Sequence, residues 1–169
     1  MRAFQLLAVA ALCSCQLASA QAPLKEEFTI KRDAPRVGSN IKANLVQLSV
    51  PPDKDYADLT ESQKNSVKAN YEAMAPGDEP PYPVGGVKKL FQSIDAGQQA
   101  LLVKGEMTLV AKVGADGKVG SVDVLVSPDE RIVKFVASVL MLTPFKPALC
   151  SGSPCAMAFP VRLKFNVRM

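Results

Sequence analysis

The end of the chain shows the clearest alternation of apolar and polar positions. Residues 159–167 place an apolar side chain at every odd position: Phe159, Val161, Leu163, Phe165 and Val167. The even positions hold Pro160, Arg162, Lys164 and Asn166. A period of two residues is typical of a strand with one buried and one solvated face. Because proline cannot donate to a ladder, Pro160 favours an edge strand or the start of a strand.

A hairpin is predicted upstream of that strand. Apolar residues alternate over residues 105–113 and again over residues 119–126. The first apolar face holds Met107, Leu109, Ala111 and Val113, and the second holds Val122, Val124 and Val126. Between the two stretches, Ala115-Asp116-Gly117 is a turn signal. This pattern predicts two antiparallel strands joined by a tight turn.

Two helices are predicted to flank the hairpin. The first has one apolar face formed by Val87, Leu90, Phe91 and Ile94. The second begins with Ser127 as N-cap, Pro128 in the first helical position and Glu130 closing a capping box. Its wide apolar face comprises Ile132, Val133, Phe135, Val136, Val139 and Leu140. The order helix, strand, strand, helix, strand predicts an α+β fold, in which a short antiparallel sheet carries both helices on one face.

An N-terminal strand and helix extension precedes this unit. Candidate strands lie at residues 24–31 and 40–50. A helix begins at the capping box Thr60-Glu61-Ser62-Gln63, carries Val67, Tyr71 and Met74 at helical spacing, and ends at Pro76-Gly77. Prolines at 80, 81 and 83, followed by Gly85-Gly86, then indicate an extended linker. The predicted organisation is a signal peptide at 1–20, an extension at 21–75, a linker at 76–86 and a domain at 87–169.

The first 20 residues have the pattern of an export signal. A short basic start at Arg2 is followed by an apolar run, and Ala18-Ser19-Ala20 matches a small-residue cleavage site. Leu12-Cys13-Ser14-Cys15 also resembles a lipoprotein box, but Cys13 is a poor match at its position, so cleavage after Ala20 is favoured. We therefore expect a periplasmic or secreted protein without a membrane anchor after cleavage.

Charge and cysteine content narrow the chemistry. Loss of Arg2 lowers the net charge from +4 to +3, and this mild, mixed-sign excess does not indicate a nucleic-acid partner. Two cysteines remain, Cys150 and Cys155, and an even pair in an exported chain predicts a disulfide. The chain has no histidine. We predict no metal site and no cofactor, because zinc would need further ligands.

An enzymatic role has little support in the sequence. General acid–base catalysis commonly uses histidine, and no phosphate loop or nucleophile motif occurs. The alternative is a cell-wall hydrolase that uses a carboxylate pair drawn from Asp123, Asp129 and Glu130. We predict that the protein is not an enzyme.

The order of these motifs resembles the C-terminal domain of TonB-like energy transducers. The resemblance covers about half of the chain and is carried by Tyr82-Pro83, Asp116-Gly117, Phe145-Lys146-Pro147-Ala148, Gly152 and residues 159–167. It implies an interaction domain whose last strand accepts an extended peptide from an outer-membrane receptor. Members of that family keep an uncleaved anchor and a long Pro-rich spacer, whereas this chain is expected to have a cleavable signal.

The predicted partner-binding residues follow from the last strand and the Pro-rich segment. They are Phe159, Val161, Arg162, Leu163, Lys164, Phe165 and Tyr82. Two alternatives to peptide binding remain open for the strand residues. Charges and proline can also guard an edge against pairing, so Pro160, Arg162 and Lys164 could serve that purpose alone. The same edge could instead form a structural homodimer. Tyr82 is expected either to stack on a guest peptide or to pack where the linker meets the helices.

Overall fold

The computed structural model describes Ile41 and residues 50–166, and it confirms the predicted α+β class. A 3-10 turn at Tyr56–Asp58 precedes three helices: α1 (Glu61–Lys68), α2 (Lys88–Leu101) and α3 (Glu130–Leu142). The described strands are β1 (Tyr82–Pro83), β2 (Gly105–Val113), β3 (Val119–Val126), β4 (Phe145–Lys146), β5 (Ala148–Cys150), β6 (Ser153–Cys155) and β7 (Met157–Phe165). The predicted signal peptide, the candidate strand at 24–31, all but Ile41 and Val50 of the one at 40–50, and Val167 lie outside the described residues.

The main sheet has three antiparallel strands in the order β3-β2-β7. The turn between β2 and β3 falls at the predicted Asp116-Gly117, where Gly117 has a φ of 76°. An added Cβ at Gly117 would collide with the carbonyl oxygen of Phe145, so glycine is needed there for two reasons. β2 and β7 pair without interruption from Gly105–Phe165 to Val113–Met157. The β2–β3 pairing contains two register shifts.

Helices α2 and α3 lie together on one face of this sheet, as predicted. The shared core contains Leu90 and Ile94 of α2, the predicted apolar face of β2, and Ile132, Val136 and Leu140 of α3. The two helices approach closely at Gly97, where an added Cβ would collide with the ring of Phe135. Because one face of each helix and one face of the sheet are covered together, a single core satisfies all three apolar patterns.

Three details of the predicted apolar faces are wrong. Val126 is exposed, because a register shift in β3 places it opposite Thr108 and takes it off the face shared with Met107 and Leu109. Phe91 and Phe135 are 37% and 36% exposed, although the Phe135 ring lies against Gly97 of α2.

The predicted start of α3 is also wrong. Ser127 does not cap the helix; its hydroxyl accepts a hydrogen bond from the Asp129 amide at 3.3 Å, forming a local turn. Asp129 is the N-cap, and its carboxylate accepts from the Arg131 amide at 2.7 Å. The helix therefore begins at Glu130, with Pro128 before it, and Glu130 closes no capping box.

The first helix is shorter than predicted. Its capping box is present, with the Gln63 amide donating to the Thr60 hydroxyl at 3.3 Å and the Thr60 amide donating to Oε1 of Gln63 at 2.9 Å. It ends at Lys68, however, so Tyr71 and Met74 are not on it. Tyr71 instead forms an antiparallel bridge with Ile41. The helical spacing that included Tyr71 was coincidental, because pairing and burial on the sheet determine its position.

Residues from the extension cover part of the sheet face opposite the helices. Ile41 and Tyr71 are buried there against Val110 of β2. The partly buried residues around them are Met74, Leu125, Met157 and Ala158. The sheet is therefore packed on both sides, with a helical layer on one face and a short irregular layer on the other.

The predicted linker is packed along residues 80–83. Pro80, Pro81, Tyr82 and Pro83 are fully buried, and β1 pairs with β4 in the register Tyr82–Lys146 and Pro83–Phe145. Phe145 in turn packs edge-on against Phe159, with 5.0 Å between ring centroids. This segment therefore contributes backbone pairing to the domain that follows it.

The predicted disulfide between Cys150 and Cys155 is present and closes the β5–β6 hairpin. Glu79 and Leu149 exchange two backbone hydrogen bonds, each 2.9 Å. The Asp78 carboxylate accepts from the Ser151 amide at the hairpin turn, at 2.8 Å. These contacts hold the hairpin against residues 78–79.

Candidate binding edge on the last strand

The last strand, β7, lies at one edge of the main sheet. Among the described residues its strand partner is β2 alone. The nine pairs between them run in one register without a bulge. An edge of this length leaves a row of backbone N–H and C=O groups without strand partners on its outer side.

The even-numbered residues of β7 direct their backbone groups away from β2. In an antiparallel ladder, the N–H and C=O of one residue point to the same side, and successive residues alternate. The Gly114 amide donates to the Lys118 carbonyl at 2.8 Å, which turns the even residues of β2 towards β3. The odd residues of β2 therefore face β7, and they are paired with the odd residues of β7.

Two features of β7 agree with this assignment. Pro160 interrupts nothing in the ladder, as expected if the position of its missing N–H faces outward. The carbonyl of Ala158, also an even position, accepts a hydrogen bond from the Tyr71 hydroxyl at 3.0 Å.

Tyr71 occupies the beginning of this edge. Its ring is buried on the sheet, and burial raises the pKa of its hydroxyl well above the usual range. The hydroxyl is therefore a neutral donor that occupies the Ala158 carbonyl. Beyond it, the outward groups are the Pro160 carbonyl and both backbone groups of Arg162 and Lys164. We call residues 160–164 the open edge segment.

The side chains predicted to bind a partner fall into two sets. Phe159, Val161 and Phe165 are buried in the core beneath the helices, and Leu163 is half-buried beside them. Arg162 and Lys164 are exposed on the opposite face. The Lys164 ammonium lies 3.8 Å from the Glu106 carboxylate, and both side chains are exposed, so this pair contributes little. Arg162 makes no ion pair within the described part of the chain.

Tyr82 is not brought together with these residues. Its side chain is completely buried in a second cluster with Tyr56, Leu59, Val67 and Val87, which contains no residue of β7. Its ring centroid is 5.7 Å from that of Tyr56, and burial raises the pKa of both hydroxyls. Lys146 lies 4.8 Å from the centroid of the Tyr56 ring and forms a 2.9 Å ion pair with Glu79.

The candidate hydrolytic carboxylates each have a local partner or role. Asp123 pairs with Lys112 of the neighbouring strand at 3.2 Å. Asp129 caps α3, and its hydrogen bonds with Arg131 hold the pKa of that carboxyl below its usual range. A general acid for glycoside hydrolysis needs a raised pKa, so this environment acts in the opposite direction. Glu130 is an exposed residue in the first turn of the same helix.

The described residues contain neither a candidate metal cluster nor a candidate membrane-spanning helix. Within them, no three or more Cys, Asp or Glu side chains are grouped as ligands for a metal ion. None of the helices between residues 50 and 166 combines the length and apolarity required to cross a bilayer.

Sequence reasoning missed Tyr71 as part of this edge. The sequence signal for it was the helix-disfavouring Asn70 directly before Tyr71, which indicates that the helix ends before the tyrosine. Comparison with protein-family models finds no match, and comparison with curated proteins finds none either.

Proposed function

We propose that this chain is an exported protein-interaction domain of the TonB C-terminal type, which binds an extended segment of another protein by adding it to the outer side of β7. The observation that carries this proposal is the bulge-free outer edge of β7, which pairs with no strand among the described residues other than β2. In strand addition, main-chain hydrogen bonds supply affinity and alternate side chains supply specificity. A segment of an outer-membrane receptor is the partner that the resemblance implies.

The two edges of the sheet are not equivalent, and β7 is the better template. Strand β3 has two register shifts against β2, and bulges twist an edge away from further pairing. β7 keeps one register along its length. Its open edge segment offers the Arg162 and Lys164 amides as donors, together with three carbonyls as acceptors. A guest strand can pair with that alternation in either direction.

A homodimer through the same edge is the weaker candidate. Full overlap of two open edge segments about a two-fold axis places Arg162 opposite Arg162, and a shift by two residues can place Arg162 opposite Lys164. Like charges directly opposite each other on paired strands are destabilising. Measuring the mass in solution by light scattering tests this alternative: a monomer across the micromolar range excludes it, and a dimer that Arg162→Pro dissociates would replace our proposal.

The proposal is tested by photo-crosslinking in the cell envelope of a Gram-negative host. A benzophenone side chain is placed at Lys164 on β7, and the matched control carries it at Ser121 on β3. We expect a specific adduct from the β7 position that disappears when Arg162→Pro removes an outward donor. Equal adducts from both positions, or an adduct unaffected by Arg162→Pro in a folded protein, would contradict strand addition at β7.

Participation in energy transduction is a separate question from peptide binding. Coupling to an inner-membrane motor requires an anchored N-terminus, whereas the sequence predicts cleavage after Ala20. Mass spectrometry of the mature N-terminus distinguishes the two: a chain that begins at Gln21 acts as a released binding module, and an intact leader would restore the transducer hypothesis.

A further inference from the structure

We infer that the β7 edge selects short extended segments in which acidic and apolar residues alternate, and that such a segment pairs with residues 160–164 only. This inference rests on the proposed strand addition, and it names the chemistry and the register of the guest. It is carried by three local features of the edge: the blocked carbonyl at its start, the two exposed cations on one face and the half-buried leucine on the other.

The start of the edge is closed to a guest strand. The Tyr71 hydroxyl already occupies the Ala158 carbonyl at 3.0 Å, and the Tyr71 ring is fixed by burial against Val110. Pro160, the next outward residue, has no N–H to offer. Beyond Ala158 the first outward donor is therefore the Arg162 amide, so the guest is about as long as the open edge segment.

The face of the edge opposite the helices favours acidic guest residues. Side chains opposite each other on paired strands lie about 4.5–5.5 Å apart, so a guest places alternate side chains beside Arg162 and Lys164. Arg162 forms no ion pair with any described residue, and Lys164 has only the loose contact with Glu106. Carboxylates at two alternate guest positions would give each cation a partner.

The helix-side face of the edge favours an apolar guest residue. Leu163 lies half-buried against the core, between the buried Val161 and Phe165 along the strand. A guest side chain between the two acidic positions points to this side, because successive residues of a strand alternate faces. An apolar residue there would cover the exposed part of Leu163.

The test is an NMR titration of the full mature chain with three peptides. The probe is acetyl-Ser-Val-Glu-Val-Glu-Val-Ser-amide, and the matched peptides carry Gln or Lys in place of both Glu residues. We expect the Glu peptide to shift the Arg162 and Lys164 amides most, and to bind about 2- to 30-fold more tightly than the Gln peptide. The difference should shrink with added salt, because exposed pairs are screened.

Two variants separate the contributions. Combined Arg162→Gln and Lys164→Gln should abolish the preference for Glu over Gln. Lys112→Gln, which removes a cation already paired with Asp123 on the same face, should leave the preference in place. If Tyr71 limits the guest, Tyr71→Phe should extend the perturbed amides to Ala158.

The outcomes distinguish this inference from the proposed function. Equal affinity for the Glu and Gln peptides, with shifts at Arg162 and Lys164, would overturn the acidic preference and leave strand addition standing. Shifts at Ala158 as large as those at Lys164 in the unmodified chain would overturn the restricted register. The absence of any edge shift with all three peptides at millimolar concentration would count against strand addition itself.

Discussion

Proline substitutions at adjacent positions of β7 should destabilise the fold to very different degrees. The Leu163 amide faces β2 in the pair with Met107, whereas the Arg162 amide faces outward. Leu163→Pro removes a ladder hydrogen bond and leaves a carbonyl of the buried β2 without its donor. Arg162→Pro removes a donor that is directed away from β2, at an edge where proline is tolerated, as Pro160 already is.

The magnitudes follow from what each substitution leaves unpaired. A lost hydrogen bond costs about 0.5–1.5 kcal/mol, and a buried acceptor without a donor costs about 1–3 kcal/mol. We therefore expect Leu163→Pro to lower the free energy of unfolding by about 2–4 kcal/mol beyond the effect of Leu163→Ala, which accounts for the lost side chain. Arg162→Pro should change it by less than about 1 kcal/mol, because restriction of the unfolded chain offsets part of any strain.

The assay is urea unfolding followed by far-UV circular dichroism, since the chain has no tryptophan for fluorescence. The four proteins to compare are the unmodified chain, Arg162→Pro, Leu163→Ala and Leu163→Pro. A reversed order, with Arg162→Pro the more destabilising proline, would show that the even residues face β2. The edge described above, and every proposal built on it, would then be wrong.

Two further predictions concern residues away from the edge. Burial raises the pKa of Tyr56, Tyr71 and Tyr82 in the folded state. Above pH 10 the unfolded chain loses these protons before the folded one does, so the free energy of unfolding falls by about 1.4 kcal/mol per pH unit for each tyrosine. Tyr71→Phe should therefore make this decline shallower when unfolding is measured at alkaline pH. An unchanged slope would contradict this. Gly97→Ala should lower the free energy of unfolding by about 1–3 kcal/mol through overpacking, and Phe135→Leu should relieve part of that loss in a double-mutant cycle. Additive effects would show that the two side chains do not collide.

Local signals in the sequence were sufficient for the hairpin and for the α1 capping box. β2 and β3 have the predicted bounds, because alternation and an Asp-Gly turn act over a few residues. The same local signals failed where the chain departed from regular pairing. The register shift in β3 that exposes Val126 depends on its pairing with β2. The Ser127 hydroxyl can accept a hydrogen bond either in a helix cap or in a local turn, and in the structure it forms the turn.

The binding edge could be predicted only in part. The alternation in residues 159–167 and the presence of Pro160 indicated an edge strand, because both are properties of one segment. Which backbone groups face outward depended on the register with β2. The closure of the Ala158 carbonyl depended on Tyr71, which is 87 residues away in the sequence. No local pattern contains a contact of that separation.

The sequence by itself determined the periodicity of the main strands and helices, the disulfide pair and most of the buried face of each, because side-chain polarity at a period of 2 or 3.6 residues is a local property. The tertiary structure decided the strand order β3-β2-β7, the burial of residues 80–83 and the position of the extension on the second face of the sheet. These features arise from contacts between segments that are distant in the sequence. Each depends on which edge or face of the sheet a segment packs against in the folded chain. A strand pattern can therefore indicate that an edge exists, but only the packed chain defines which of its hydrogen-bonding groups are available to a partner.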